Sequence, residues 1–192
     1  MILECALVKN KKVVWDIGAN AGFYTIAFST LVGPGGRVYS FEPLAKNVSN
    51  LLRHIALNSA SNVTVVSGAV TRYSGPIGFH VTGYDTTGRV DASLKEYVVQ
   101  GWSIDDFVAA FPESTPELIK IDVEGAEAGL LEGASSLLKV MGPEIILAVH
   151  SHDLWRRCFD ILSAHGYQLE TLGGLRHEGP VNLEQEVVAR KR

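Results

Sequence analysis

Cysteine is almost missing from this sequence, and its scarcity excludes a good deal. The two present, Cys5 and Cys158, stand alone. They build no disulfide framework and fit no metal-ligand spacing, so a reducing, cytoplasmic setting is expected. Long apolar runs are missing too: none approaches the roughly 20 residues of a membrane helix. The opening MILECALVKNKK sets its basic residues after its apolar ones, the reverse of a secretory signal. Positive charge is sparse, with no basic block before the terminal Arg190-Lys191-Arg192 and a formal net charge of −4. A nucleic-acid partner normally selects for a basic stripe, so none is expected. Internal repeats, low-complexity tracts and linkers are also absent. What remains, 192 residues at 46% hydrophobic and 20% charged, is the composition of a single globular domain spanning residues 1–192.

Along the chain, strand-like apolar runs alternate with helical patterns. This is the βαβ rhythm of a doubly wound α/β fold, a mostly parallel sheet with helices on both faces. Val13 to Ile17 reads as the first buried strand, and the helix GFYTIAFSTLV after it is stopped by Gly33-Pro34-Gly35-Gly36. Arg37 to Glu42 is a second strand. Leu44, Val48, Leu51, Leu52 and Ile55 then fall at helical spacing, and Asn62 to Ser67 forms a third strand. The rhythm breaks between about 71 and 101, where five glycines and short alternating pieces predict a small antiparallel excursion or lid. Ser103, with Asp106 three residues on, predicts the N-cap of a helix over IDDFVAAF. Glu117 to Ile121 restarts the alternation, followed by one helix with Leu130, Leu131, Ala134, Leu137 and Leu138 on a single face. Glu144 to Val149 is a fifth strand, and Leu154, Cys158, Ile161 and Leu162 mark the helix behind it. GYQLETL and EQEVVARK read as two final strands, paired antiparallel because no helix fits between them.

The stretch VVWDIGANAG, Val13 to Gly22, carries the first chemistry. In a doubly wound sheet, ligands lie beyond the carboxyl ends of the strands, and this loop follows the first strand. A dinucleotide loop would read G-x-G-x-x-G, so that backbone and helix N-terminus approach a pyrophosphate. Here Gly18 and Gly22 flank Asn20, and Asp16 stands just before them. A carboxylate repels a pyrophosphate and attracts an ammonium group. The site therefore suits a nucleoside with a cationic tail, as S-adenosylmethionine has. About twenty residues past Gly22 the second strand ends in SFEP, where Glu42 can accept hydrogen bonds from ribose hydroxyls. Either acid alone would be an ordinary strand-end carboxylate. Their order and shared position favour the cofactor.

At these residues the sequence resembles the FkbM family of S-adenosylmethionine-dependent methyltransferases, within the class I superfamily. The resemblance rests on VVWDIGANAGFYT, VYSFEP, SIDDF and above all LIKIDVEGAEAGLLEGA. It implies a seven-stranded Rossmann-like sheet with its last strand antiparallel, and methyl transfer to a hydroxyl of a small-molecule, sugar or lipid-linked acceptor. Carried over residue by residue, Asp16, Gly18, Asn20 and Gly22 form the methionine-side loop and Glu42 takes the ribose. Thr25 is expected to contact the amino-acid carboxylate, and Gly68 with Ala69 to line the adenine. Two departures stand out. Family members commonly carry a longer segment before the first strand, which makes a covering second subunit, hence a homodimer, the expectation here. The family's fifth strand tends to end E-x-H, where this chain has Ala148-Val149-His150.

Methylating a hydroxyl requires a proton acceptor beside the attacking oxygen. Asp122 and Glu124 follow the fourth strand and His150 the fifth, so all three are candidate catalytic residues. His150 is preferred as base because imidazole titrates near neutral pH. As alternatives, His150 in the stretch HSHD is a strand-end residue beside a helix cap, or joins His152, Asp153 and Asp122 or Glu124 in binding metal. Glu127 reads as an acid favouring the start of a helix. His54, His80, His165 and His177 read as surface residues. Rival functions are an NAD-dependent oxidoreductase and a non-catalytic cofactor-binding scaffold. Asp16 and the missing third glycine count against the first, and methyl transfer itself separates the second. S-adenosylhomocysteine is expected to raise the melting temperature by mass action while NAD leaves it unmoved. A titration with the opposite pattern would overturn the cofactor assignment.

Overall fold

The computed structural model describes residues 6–82, 87–90, 97–171 and 186–191. Cys5, His177 and the side chain of His80 lie outside the described residues. The strands are β1 at Val13–Ile17, β2 at Arg37–Glu42, β3 at Val63–Ser67, β4 at Ala69–Val70, β5 at Gly75–Thr82 and β6 at Thr87–Val90. They continue with β7 at Tyr97–Trp102, β8 at Leu118–Ile121, β9 at Glu144–Leu147, β10 at Tyr167–Thr171 and β11 at Val187–Lys191.

The larger of two sheets has seven strands in the order β10-β11-β9-β8-β1-β2-β3. They run parallel except β11, which pairs antiparallel with both β9 and β10. The antiparallel β11 is what the family resemblance implies, and the structure inserts it between β9 and β10. The smaller sheet has the order β4-β7-β5-β6. Its β5–β6 and β5–β7 pairs are antiparallel, while β4 runs parallel to β7.

Two faces of the large sheet pack differently. Trp15, Ile17, Phe41, Ile119, Ile121 and Leu147 project into a broad core. That core is shared with residues of four helices that lie later in the chain than α1 (Phe23–Val32) and α2 (Ala45–Leu57). These are α3 (Ile104–Ala110), α4 (Glu127–Glu132), α5 (Ser135–Val140) and α6 (His152–Ala164). The opposite face packs Val14, Val38 and Leu118 against Phe28 of α1. Strand residues two apart share a face, so Val14, Val38 and Leu118 are followed there by Asp16, Ser40 and Lys120. Register puts Asp16 directly between the other two. One face therefore changes from core to polar row partway along its strands. The polar row marks where the site begins.

The sequence predicts one helix over Leu130 to Leu138, but two short helices form, α4 and α5. Their break has a physical cause. The segment at Gly133 passes so close to the backbone oxygens of Thr71 and Arg72 that a Cβ there would lie 2.6 and 2.8 Å from them. The Asp105 carboxylate then accepts from the Ser136 and Leu137 backbone N–H groups at 2.8 and 2.9 Å, starting α5 with a cap borrowed from α3. The predicted Ser103 cap of α3 is present, its hydroxyl accepting from the Asp106 N–H at 3.1 Å.

Helix α2 reaches the loop after β1 through Leu51, whose Cδ1 would lie 2.5 Å from a Cβ placed on Gly22. Gly18 is tighter still. It has φ +82°, and a Cβ there would collide with the carbonyl oxygen of Asp122, because the loop crosses directly over the end of β8. Gly18→Ala should therefore destabilise the fold by about 2 kcal/mol or more, from left-handed strain plus overpacking. Gly35→Ala, with nothing within 4 Å of the new methyl, is the control expected to melt like the wild type. Equal melting of the two variants would refute the close approach.

Candidate active site

Asp16 sits at the centre of the polar row and is 1% exposed. Its Oδ2 accepts the Thr25 hydroxyl at 2.6 Å, and Thr25 in turn lies 2.9 Å from the Ser40 hydroxyl. Its Oδ1 is buried with no hydrogen-bond partner. Thr25 comes from the first turn of α1 and is fully buried, its hydroxyl committed to Asp16 and Ser40. The sequence expectation that Thr25 meets a ligand carboxylate is corrected by this geometry: it orients Asp16 from behind. Burial raises the Asp16 carboxyl above its ordinary value, against the lowering effects of Lys120 and Thr25.

Lys120, also 1% exposed, was not singled out by the sequence. Its ammonium group pairs with Asp122 Oδ2 at 3.0 Å, lies 3.8 Å from Glu186 Oε1 and stands 4.2 Å above the Tyr24 ring. The signal was available in LIKID, where a lone lysine interrupts a buried strand at the parity of Asp16. A buried ammonium needs partners. Here it holds the Asp122 carboxylate in place at the end of β8.

Glu42 ends β2 at 4% exposure. Its Oε2 accepts from the Asn20 N–H at 2.9 Å. Its Oε1 takes the Leu44 N–H at 2.9 Å and the Asn47 amide at 3.2 Å. Burial raises its carboxyl as well, against those three bonds. Asn20 itself adopts φ 49°, so the loop turns its backbone N–H toward Glu42. The Gly18 and Ala19 N–H groups both bond to the Phe41 carbonyl, and the Gly22 N–H to that of Ala19. Asp16, Gly18, Asn20, Gly22 and Glu42 thus form one tight wall. Gly68 adjoins it, donating its N–H to the Glu42 carbonyl at 3.1 Å, with the buried Ala69 next in the chain. His54, expected as a surface residue, is exposed yet lies 2.6 Å from the Ala21 carbonyl through Nδ1, bracing the same loop. His165 follows the end of α6, with Nδ1 2.8 Å from the Ile161 carbonyl.

A second cluster lies across the end of β8. His150 Nδ1 is 2.8 Å from Glu127 Oε1, and its Nε2 is 3.6 Å from Asp122 Oδ1. Glu127 is fully buried, which its expected role as a helix-start acid does not explain. Glu124 is partly exposed between β8 and α4, and no hydrogen bond or ion pair joins it to His150. His152 is exposed in the first turn of α6. Ser151 is the cap there, accepting the Leu154 N–H at 3.3 Å. Among the described residues, no group of three or more His, Cys, Asp or Glu is arranged to hold a metal ion.

The arrangement suits a cationic ligand. An unpartnered, buried carboxylate oxygen costs free energy that an arriving ammonium group recovers, whereas a pyrophosphate at that place would be repelled. The wall therefore fits the amino-acid end of S-adenosylmethionine at Asp16 and its ribose at Glu42.

Comparison with known proteins agrees in kind. Residues 16–169 match the methyltransferase FkbM domain. A hexuronic acid methyltransferase, AglP of Haloferax volcanii, is 25% identical over 140 residues, which cover 72% of this chain and 56% of that protein. The chain thus spans little more than half of this curated relative. Among solved structures, a methyltransferase FkbM from Methylobacillus flagellatus superposes with TM-score 0.67 at 22% identity, covering 94% of this chain and 44% of that one. A precorrin-6y C5,15-methyltransferase from Geobacter metallireducens gives 0.63 at 18% identity, covering 99% and 85%. At these identities the two structures speak to the fold alone.

The raised Asp16 carboxyl sets a pH dependence. The folded protein holds the Asp16 proton to higher pH than the unfolded chain does. In the window between the ordinary carboxylate value and the raised one, the native state binds more protons. Stability without ligand therefore falls as pH rises through that window and is regained on acidification. Ammonium binding needs the ionised form and runs the other way. Asp16→Asn is expected to raise the melting temperature of the ligand-free protein at pH 7 and to reduce its slope with pH. It should also weaken S-adenosylhomocysteine binding by roughly 1.5–3 kcal/mol, the range for bonds to a charged group. Melting curves and calorimetric titration check both signs. A ligand-free Asp16→Asn variant less stable than wild type would contradict the argument.

Proposed function

The chain belongs to the FkbM methyltransferase domain family, and on that premise we propose that it methylates a hydroxyl oxygen of a sugar-like acceptor with S-adenosylmethionine as donor. The observation that carries the reading is the buried Asp16 carboxylate, one oxygen unused, in a wall that continues through the end of β8 to His150. Asp16 holds the α-amino group of the donor, Glu42 its ribose, and Gly68 with Ala69 border the adenine. Gly18 and Gly22 let the backbone close around it.

When bound, S-adenosylmethionine supplies an electrophilic methyl group and departs as a neutral thioether, so its side of the reaction needs no acid. Only the acceptor's hydroxyl proton needs a destination. His150 Nε2 receives it, with Asp122 beside it to orient the hydroxyl and to stabilise the imidazolium that forms. Lys120 fixes Asp122 for that task through its 3.0 Å ion pair. Glu124, partly exposed nearby, is the reserve candidate at the acceptor side. The sugar-like acceptor takes its support from AglP, whose name gives hexuronic acid as its substrate. A base beside the reacting atoms favours a hydroxyl over a carboxylate, which would need none.

A panel of hydroxylated sugars and uronic acids, assayed with methyl-labelled donor with and without chelator, tests the proposal. On an active acceptor, His150→Ala should lower kcat by about 10²–10⁴-fold with donor affinity nearly unchanged. Full activity in that variant, with a rate insensitive to chelator, would remove His150 from the chemistry and turn attention to Glu124.

A further inference from the structure

Glu127 is the least explained charged group among the described residues. It lies on α4, whose Ala128, Leu130 and Leu131 are core residues, and it is itself fully buried. Its Oε1 receives the Gly125 N–H at 3.2 Å and lies 2.8 Å from His150 Nδ1. Its Oε2 is buried without a hydrogen-bond partner. Burying a carboxylate with one oxygen unpaired is costly, and a role in starting α4 does not require it. An exposed acid in the first turn would interact with the helix end without desolvation.

We propose that Glu127 is the positioning residue of His150, its carboxylate fixing the imidazole as the Nδ1–H tautomer so that Nε2 stays open as proton acceptor beside Asp122. The proposal rests on the reading of His150 as the base and adds how that base is prepared. A carboxylate can only accept, so the 2.8 Å contact assigns the proton to Nδ1. In the neutral ring the other nitrogen then carries a lone pair, and its 3.6 Å separation from Asp122 Oδ1 is too long for a hydrogen bond. That gap leaves both groups available to one acceptor hydroxyl. The other Asp122 oxygen is held by Lys120 at 3.0 Å.

The charged and titratable groups around this pair are few. Asp122 faces His150 from the end of β8, and Glu127 faces it from α4. From α6, Cys158 packs near Glu127, but burial, and after it the Glu127 charge, pushes its thiol up to about 12. It therefore stays neutral and does not compete for the proton. The arrangement follows the logic of an acid that orients a catalytic histidine and steadies its cationic form.

The test uses the full chain labelled with nitrogen-15 at histidine. Ring nitrogen shifts of neutral His150 should show the Nδ1–H form in the wild type. In Glu127→Gln they should shift toward the Nε2–H form, because the neutral amide no longer demands a donor. The same variant should lose about tenfold or more in kcat with KM and S-adenosylhomocysteine affinity within about twofold of wild type. Neutral wild-type His150 in the Nε2–H form would overturn the proposal, as would a tautomer ratio unmoved by Glu127→Gln. The wild-type spectrum decides even if the variant fails to fold. Failure of S-adenosylhomocysteine to bind the wild type would instead strike the donor assignment, leaving the tautomer result to stand or fall separately.

Discussion

The site depends on one unfavourable arrangement: ionisable groups kept on a sheet face that, one step back along the strands, is pure core. Asp16 and Lys120 are neighbours in register, each 1% exposed. Burying either one ionised and alone would be costly, since desolvating a lone charge takes several kcal/mol, a large part of the stability margin of a fold. Together with Thr25, Asp122 and Glu186 they form a mixed-sign row in which the ammonium group offsets the carboxylates. The offset is incomplete at Asp16 Oδ1. On the proposed reading a cationic ligand completes it, and the fold's residual electrostatic cost becomes affinity for the donor.

The same constraint explains the backbone. The loop after β1 crosses the end of β8, which leaves no volume for a side chain at Gly18. Glu42 then closes the loop from β2 by accepting the Asn20 N–H. One carboxylate thus organises the loop, accepting from Asn20, Leu44 and Asn47. The Thr25 hydroxyl does similar service beneath Asp16. These groups are fixed before any ligand arrives, and little ordering cost is left for binding.

Much of this was legible in the sequence. The strands, the closing antiparallel pair and the acids at strand ends followed from apolar periodicity and the FkbM resemblance, because buried strands and strand-end loops leave local marks. Other features left none. The helix predicted over Leu130 to Leu138 is broken at Gly133 by the backbone of Thr71 and Arg72, far earlier in the chain, a contact with no local signature. Thr25 follows closely on the ligand loop, and periodicity alone could not say whether its hydroxyl turned outward or beneath Asp16. Lys120 was legible in principle, as the one polar residue inside LIKI, but its meaning required the register with Asp16. Glu127 does open α4, as its sequence position implies, but a glutamate opening a helix is ordinarily exposed, and its burial had no local mark. Only the structure shows that it is buried against His150.

Glu127 and Asp16 also show a division of labour that the motif alone does not convey. Each is a buried carboxylate with one oxygen bonded and one unpartnered, yet they face different demands. Asp16 meets a hydroxyl from its own domain, and its free oxygen is the one that the proposed reading gives to a ligand cation. Glu127 meets an imidazole, and its bonded oxygen is the one that matters. Between them stands Asp122, half-exposed and paired with Lys120 at 3.0 Å. On the proposed reading, that ion pair holds Asp122 beside the neutral imidazole, where one acceptor hydroxyl can meet both groups. The buried lysine thus keeps two acidic groups apart in function as well as in space, and it does so from a strand interior where its position cannot drift.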